Sequence, residues 1–257
     1  MLKVVDLNYV VGRKKLLDQV SLSFQPGKLN LIIGPNGAGK STLIKAMCQQ
    51  LPGASGQVYY GEHNTAQLSV LALAQIRAVL SQNLELAFPL SVAEVVMMGR
   101  YPHFSGKPGS KDELICAEAM QLFDVQDMAD RNYNTLSGGE KQRTHFARVA
   151  AQIWQGPDSG QRFLLLDEPL TFLDIYYQFD FMQKITQLLT VDNLVVVGVV
   201  HDLNLAAKFA DQMVLLHQGQ VLASGSPEET LTPENIFTAY RMKPVIRKEN
   251  GALYLHF

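Results

Sequence analysis

The sequence predicts an α/β fold with a mainly parallel sheet covered by helices on both faces. Three observations carry that expectation. Predicted strands alternate with predicted helices, an order that favours parallel sheets. The runs Leu164-Leu165-Leu166 and Leu194-Val195-Val196-Val197-Gly198-Val199-Val200 are apolar without alternation, the pattern of strands buried on both faces. Between an apolar run at 31–33 and a helical start at Thr42-Leu43-Ile44 stands Gly34-Pro35-Asn36-Gly37-Ala38-Gly39-Lys40-Ser41. That is the G-x-x-x-x-G-K-[ST] spacing of a phosphate-binding loop.

The chemistry of such a loop needs those residue types. Glycines let successive backbone N–H groups converge on phosphate oxygens, and the following helix adds the positive end of its dipole. Lys40 is placed to reach the β- and γ-phosphates of a nucleotide, and the Ser41 hydroxyl to ligate Mg²⁺. Gly34 through Thr42 are therefore candidate nucleotide contacts.

Bulk properties narrow the classes. A chain of 257 residues, 47% hydrophobic and 18% charged, can bury a sizeable core. Its net charge of −2 offers no electrostatic basis for nucleic-acid binding. Cys48 and Cys116 belong to no CxxC or His cluster, so two buried free thiols are expected. Asp6 interrupts any signal-like apolar stretch, and the longest uncharged apolar runs are too short to span a bilayer. A cytosolic protein is expected, reaching a membrane only through a partner.

Taken in order, residues 3–10 and 20–24 read as strands around Gly12-Arg13-Lys14, and Pro26-Gly27 as a turn before the strand that feeds the loop. A helix is expected from Lys40 to about residue 50, with strands at 57–60 and 78–81. Residues 87–155 have a helical texture. There Ser91-Val92-Ala93-Glu94 forms a capping box for a helix ending at Gly99, and further helices are expected over 111–123 and from Ser137 towards Trp154. After a polar loop at 155–161 come a strand at 163–166, a helix at 175–189, a strand at 194–200 and a helix from Leu203. Thr232-Pro233-Glu234 reads as a cap followed by proline at the first helical position. The helical block is an insertion in one domain, 1–257, whose core is 1–86 and 156–257.

Ligands of open parallel sheets bind at the carboxyl ends of strands. One apolar strand here ends in Asp167-Glu168 and another in His201-Asp202. Asp167 suits a Mg²⁺ ligand, and Glu168, one residue on, a base for an attacking water. Leu136-Ser137-Gly138-Gly139-Glu140 places a Ser cap before two glycines, a second anion site on the same chain. One nucleotide has no evident need of two, so the second serves a nucleotide held by another copy.

Together, Gly34–Ser41, the LSGGE of 136–140 and the LLLDEP of 164–169 resemble the nucleotide-binding domain of ABC transporters, over essentially the whole chain. The resemblance implies a P-loop NTPase (RecA-like) core, an N-terminal antiparallel β portion and an inserted α-helical subdomain. It also implies Gln82 as the Q-loop glutamine, binding nucleotide and metal, Leu173-Asp174 as the D-loop, and His201 as the switch histidine on the γ-phosphate. Gly99-Arg100-Tyr101-Pro102-His103 and the run from His201 to Ala207 are similar to the importer branch for iron-siderophores, haem and vitamin B12. Gln152-Ile153-Trp154, with the polar stretch after it, resembles the haemin-import ATPases.

From the resemblance follow a head-to-tail homodimer holding two ATP, each between one copy's loop and the other's Ser137-Gly138-Gly139. It further implies two transmembrane permease subunits, a periplasmic binding protein and no nucleic acid. Apolar Phe88, Pro89, Met97, Met98, Tyr101 and Phe104 supply candidates for a docking groove. Two departures stand out: Val11 precedes Gly12 where the family has an adenine-stacking aromatic, leaving Tyr9 as a substitute or a core residue, and Phe172 is bulky for its place before Leu173. Siderophore or vitamin B12 import is the alternative within transport, and a soluble ABC ATPase of iron–sulfur cluster assembly the alternative outside it.

Overall fold

The computed structural model describes residues 1–81, 88–154, 160–171, 173–190, 193–249 and 252–257. Strands β1 (Leu2–Val11) and β2 (Lys14–Phe24) form an antiparallel hairpin whose buried positions alternate. β3 (Leu29–Ile33), buried throughout, leads into α1 (Lys40–Met47). That helix was expected to reach residue 50 and stops earlier because Gln49 turns left-handed, with φ 58°. β4 (Ser55–Tyr60) and β5 (His63–Asn64) complete a four-stranded antiparallel sheet in the order β2-β1-β4-β5.

The short helix α2 (Val70–Ile76), capped by Ser69, enters β6 (Arg77–Leu80). A helical block follows, α3 (Val92–Met97), α4 (Ser110–Leu122) and α5 (Gly138–Ile153). The Ser91–Glu94 and Ser137–Glu140 capping boxes both form. The first helix does not end at Gly99. It tightens into a 3₁₀ turn over Met98–His103.

The chain returns through β7 (Arg162–Leu166), α6 (Ile175–Leu188), β8 (Leu194–Val199) and α7 (Leu203–Phe209). It closes with β9 (Gln212–His217), β10 (Gln220–Gly225), α8 (Pro227–Thr230), α9 (Pro233–Tyr240) and the hairpin β11 (Val245–Glu249) and β12 (Ala252–His256). The central sheet has the order β10-β9-β3-β8-β7-β6, parallel except for β10 at its edge.

Why β7 and β8 lack alternation is visible in the packing. Leu164, Leu166, Leu194 and Val196 belong to one core cluster; Phe163, Leu165, Val195 and Val197 belong to the other. Each strand faces apolar side chains on both sides. The helical block shares the first cluster, through Val92, Val95, Ile115, Ala119 and Phe146.

Within that block, Arg100 is almost fully buried and pairs with Asp112, Nε to Oδ1 at 3.0 Å, while its Nη1 donates to Ala151 O at 2.8 Å. A buried pair is better tolerated when further donors also find partners, as Nη1 does here. Gly99 lets the turn lie directly on α5, because a Cβ there would stand 2.1 Å from Arg148 O. Gly99→Ala should therefore lower stability by about 1–3 kcal/mol, the usual cost of overpacking, read as an earlier urea midpoint at unchanged slope. An unchanged midpoint would mean that the contact relaxes without cost.

Candidate functional site

Parallel pairing of β3 with β8 and of β8 with β7 brings three carboxyl ends to one edge of the sheet. Ile33 runs into the phosphate loop, Leu166 into Asp167-Glu168, and β8 into Val200-His201. Residues 33, 167 and 201, remote in sequence, meet because the strands between them are neighbours.

The loop is held from several sides. Gly39 has φ 105° and lies so close to β2 that a Cβ would be 2.6 Å from Leu16 O. Ala38 N donates to Pro35 O, and Gly219 N, in the turn between β9 and β10, donates to Ala38 O at 3.0 Å. The Tyr240 hydroxyl hydrogen-bonds the Gly34 backbone, and burial pushes its pKa up to about 12. Asn36 and Gly37 lie exposed at the rim, while Pro35, Ser41 and Thr42 are partly buried. Lys40 folds back, its Nζ donating to Gly34 O at 2.8 Å and Pro35 O at 3.0 Å. Burial lowers its pKa, opposed by the carboxylates of Glu168 and Asp167.

Asp167 is buried at the end of β7. Burial raises its pKa; a hydrogen bond from Ser41 opposes the shift, and the neighbouring Glu168 adds to it. Its Oδ1 is out of water with no hydrogen-bond partner. An orphaned carboxylate oxygen beside a serine hydroxyl is an all-oxygen donor set that fits a hard cation such as Mg²⁺. Glu168 has φ 53°, a left-handed conformation that costs energy for a residue with a Cβ. Thr171 supports it, its Oγ1 donating to Glu168 O at 3.1 Å. Glu168 Oε1 lies 2.9 Å from His201 Nε2, whose ring is half exposed.

At the Ser137 helix start, the candidate second anion site, Ser137 N donates to Glu140 Oε2 at 2.7 Å and Glu140 N to Ser137 Oγ at 3.3 Å. Ser137 and Gly138 are exposed, and Gly139 is partly so. A pocket there is lined by Ser137, Gly139, Glu140, Arg143, Leu173, Asp174 and Tyr177, none of them from the phosphate loop. Gln142 Nε2 donates to Pro169 O at 2.8 Å, linking this helix to the turn after Asp167-Glu168.

Tyr9 pairs with Leu17 across the β1–β2 hairpin and packs partly buried against the second core cluster, while Val11 is 53% exposed. Gln82 and Phe172 lie outside the described residues. Sequence reasoning passed over Gln142, Thr171, Gly219 and Tyr240. Only Thr171 and Gln142, adjacent to motifs, carried a local signal.

The ABC transporter family profile matches residues 17–171. The hemin import ATP-binding protein HmuV of Gloeobacter violaceus is 42% identical over 248 residues, covering 96% of this chain and 90% of that protein. The protein of that name from Escherichia coli O157:H7 is 39% identical over 249 residues, covering 97% and 95%. Among solved structures, an inward-facing metal-chelate type ABC transporter shares the fold with a TM-score of 0.81 at 24% identity, covering 99% of this chain and 95% of that one. A dimeric ATP-binding cassette bound to ADP and phosphate is 26% identical with a TM-score of 0.74, covering 88% and 99%. With a profile spanning more than half of its length and relatives aligned almost end to end, the chain belongs to the ABC transporter family.

Proposed function

We propose that this chain is the ATP-binding and hydrolysing subunit of an importer that carries haem across the bacterial inner membrane. The observation that carries the cargo is likeness along 94–97% of the chain to hemin import ATP-binding proteins of four bacteria, at 37–42% identity. Hydrolysis is supported by Glu168, poised 2.9 Å from His201 at the sheet edge that also bears Lys40.

In this reading Lys40 exchanges the carbonyls of Gly34 and Pro35 for the β- and γ-phosphates. The loop N–H groups from Pro35 to Thr42 cradle the phosphates. Ser41 and Asp167, with Gln82, hold Mg²⁺, which when bound neutralises charge on the phosphate oxygens. Glu168 takes the proton of the attacking water, and His201 leaves Glu168 to donate to the γ-phosphate. Ser137, Gly138 and Gly139 of a second copy complete the site in a homodimer, and Tyr9 stands in for the adenine-stacking aromatic that Val11 does not supply. ATP favours the closed dimer and hydrolysis removes that preference.

The block at 87–155 acts as a helical subdomain facing two permease subunits, which receive cargo from a periplasmic binding protein. Phe88, Pro89 and Tyr101 are exposed there, whereas Met97, Met98 and Phe104 are partly buried. Among the described residues no helix is long and apolar enough to cross a membrane. That fits a peripheral subunit on the cytoplasmic face, attached through the permease.

Glu168→Gln should retain ATP binding, lower hydrolysis by about 10²–10⁴-fold and accumulate ATP-bound dimers on size exclusion. Normal turnover would remove Glu168 from the role of base. Asp167→Asn separates charge from shape. Because burial raises the carboxyl pKa, folding disfavours the charged form at pH 7, above the ordinary carboxylate range. The neutral amide should raise the melting temperature of the nucleotide-free protein while Mg²⁺-dependent hydrolysis is lost. A lower melting temperature would contradict that sign. Reconstituted with its permease, the chain should hydrolyse ATP faster with haem-loaded than with siderophore-loaded binding protein. Equal stimulation, or the reverse order, would transfer the cargo assignment to the siderophore branch.

A further inference from the structure

We infer that Gln152 is a positioning residue, the cross-tie through which movement of the 98–103 turn reaches β6 and the Asp167 end of β7. The inference rests on the transport reading above. Gln152 lies in the last turn of α5, where the final carbonyls of a helix have no partners within it. Here the carbonyls from Ala151 to Trp154 are all used for ties to residues outside the helix. Ala151 O accepts from Arg100, Gln152 O from His103 Nε2 at 2.7 Å, and Ile153 O and Trp154 O from Arg162 Nη1.

The Gln152 side chain then reaches the other way. Its Nε2 donates to Ala74 O at 2.8 Å and Arg77 O at 3.0 Å, the carbonyls that flank the junction of α2 with β6. Gln75, on that same junction, donates to Pro102 O at 2.9 Å. The result is a closed loop of hydrogen bonds. The turn grips α5 through His103, α5 grips the junction through Gln152, and the junction grips the turn through Gln75.

What lies on either side gives the loop its meaning. The turn carries Tyr101, 58% exposed, and α2 carries Val70 and Leu71, 86% and 57% exposed. Beyond the junction, β6 runs four residues to Leu80, whose carbonyl accepts from Asp167 N at 2.9 Å. Arg77 also donates from Nη1 to Cys48 O, at the far end of the helix that starts with Lys40. A push on the turn therefore reaches Asp167 through β6 and the end of the Lys40 helix through Arg77. Five residues of one motif acquire separate tasks: Gly99 for close approach, Arg100 for the buried pair, Tyr101 for the outer face, and Pro102 O and His103 for the tie.

The test uses the chain reconstituted with its permease and haem-loaded binding protein, compared with the isolated chain. Gln152→Met keeps the bulk and removes both donors. Gln75→Met breaks only the return tie and serves if the first variant folds poorly. Basal hydrolysis and the KM for ATP of the isolated chain should stay near wild type, while the stimulation of hydrolysis by the loaded complex falls at least about fivefold, the lower end of ordinary coupling energies. Haem taken up per ATP should fall with it. Stimulation equal to wild type in both variants would overturn the inference. So would a loss of basal and stimulated rates by one common factor, which marks a structural role only. A wild-type chain that the loaded complex fails to stimulate would overturn the transport reading itself, and the cross-tie with it.

Discussion

Everything at the nucleotide site depends on the parallel alignment of β3, β8 and β7. Parallel neighbours end on the same side, so their terminal residues are delivered to one edge whatever the chain does in between. That alignment is bought with burial: β7 and β8, two of the inner strands, send apolar side chains into separate core clusters on their two faces. Apart from Asn30 in β3 and Arg162 at the start of β7, the side chains of these three strands are apolar, and the polar groups gather where the strands stop. Loss of packing on either face would shift the ends relative to one another, and the site tolerates little such movement.

The resting chemistry is one of mutual restraint. Lys40 occupies two carbonyls of its own loop, and Glu168 faces His201 at 2.9 Å. Beside them, Asp167 keeps one buried oxygen, Oδ1, without a hydrogen-bond partner. Charges held partly out of water interact strongly with one another and with any incoming charge. In the proposed function, a nucleotide with its cation would replace contacts that the protein makes only with itself. The left-handed backbone at Glu168 belongs to the same economy, since strain at a site persists only where its surroundings enforce it, here Thr171 from below.

Much of this was legible in the residues. Strands β3, β7 and β8 announced themselves by their apolar runs, the Ser91 helix by a capping box and the Ser137 helix by its serine cap, and both caps form. Less legible were elements defined by partners far away in the chain. The strand β9 has an apolar run, Met213–Leu216, but nothing local says that it pairs with β3. The two-residue β5 and the polar β11 have too little apolar pattern to declare a strand. Gly99 looked like a helix stop and is instead a contact surface, because what it meets, Arg148 O, lies 49 positions on. The site was readable where its residues cluster in motifs, and unreadable where support comes from Gly219 and Tyr240, whose roles exist only in three dimensions.

The bracing of the phosphate loop by Gly219 and Tyr240 has a consequence for how the protein is made. The loop leaves the ribosome within the first fifty residues, yet β9, its parallel neighbour on one side, and the tyrosine that holds Gly34 emerge about two hundred residues later. Long-range strand pairing of this kind is slow and leaves sheet edges open meanwhile. A nascent chain therefore carries the residues of a nucleotide site well before it has the site. ATP, abundant during synthesis, gains a finished binding surface only after β9 and Tyr240 have emerged, so nucleotide capture follows the pairing of β9 with β3.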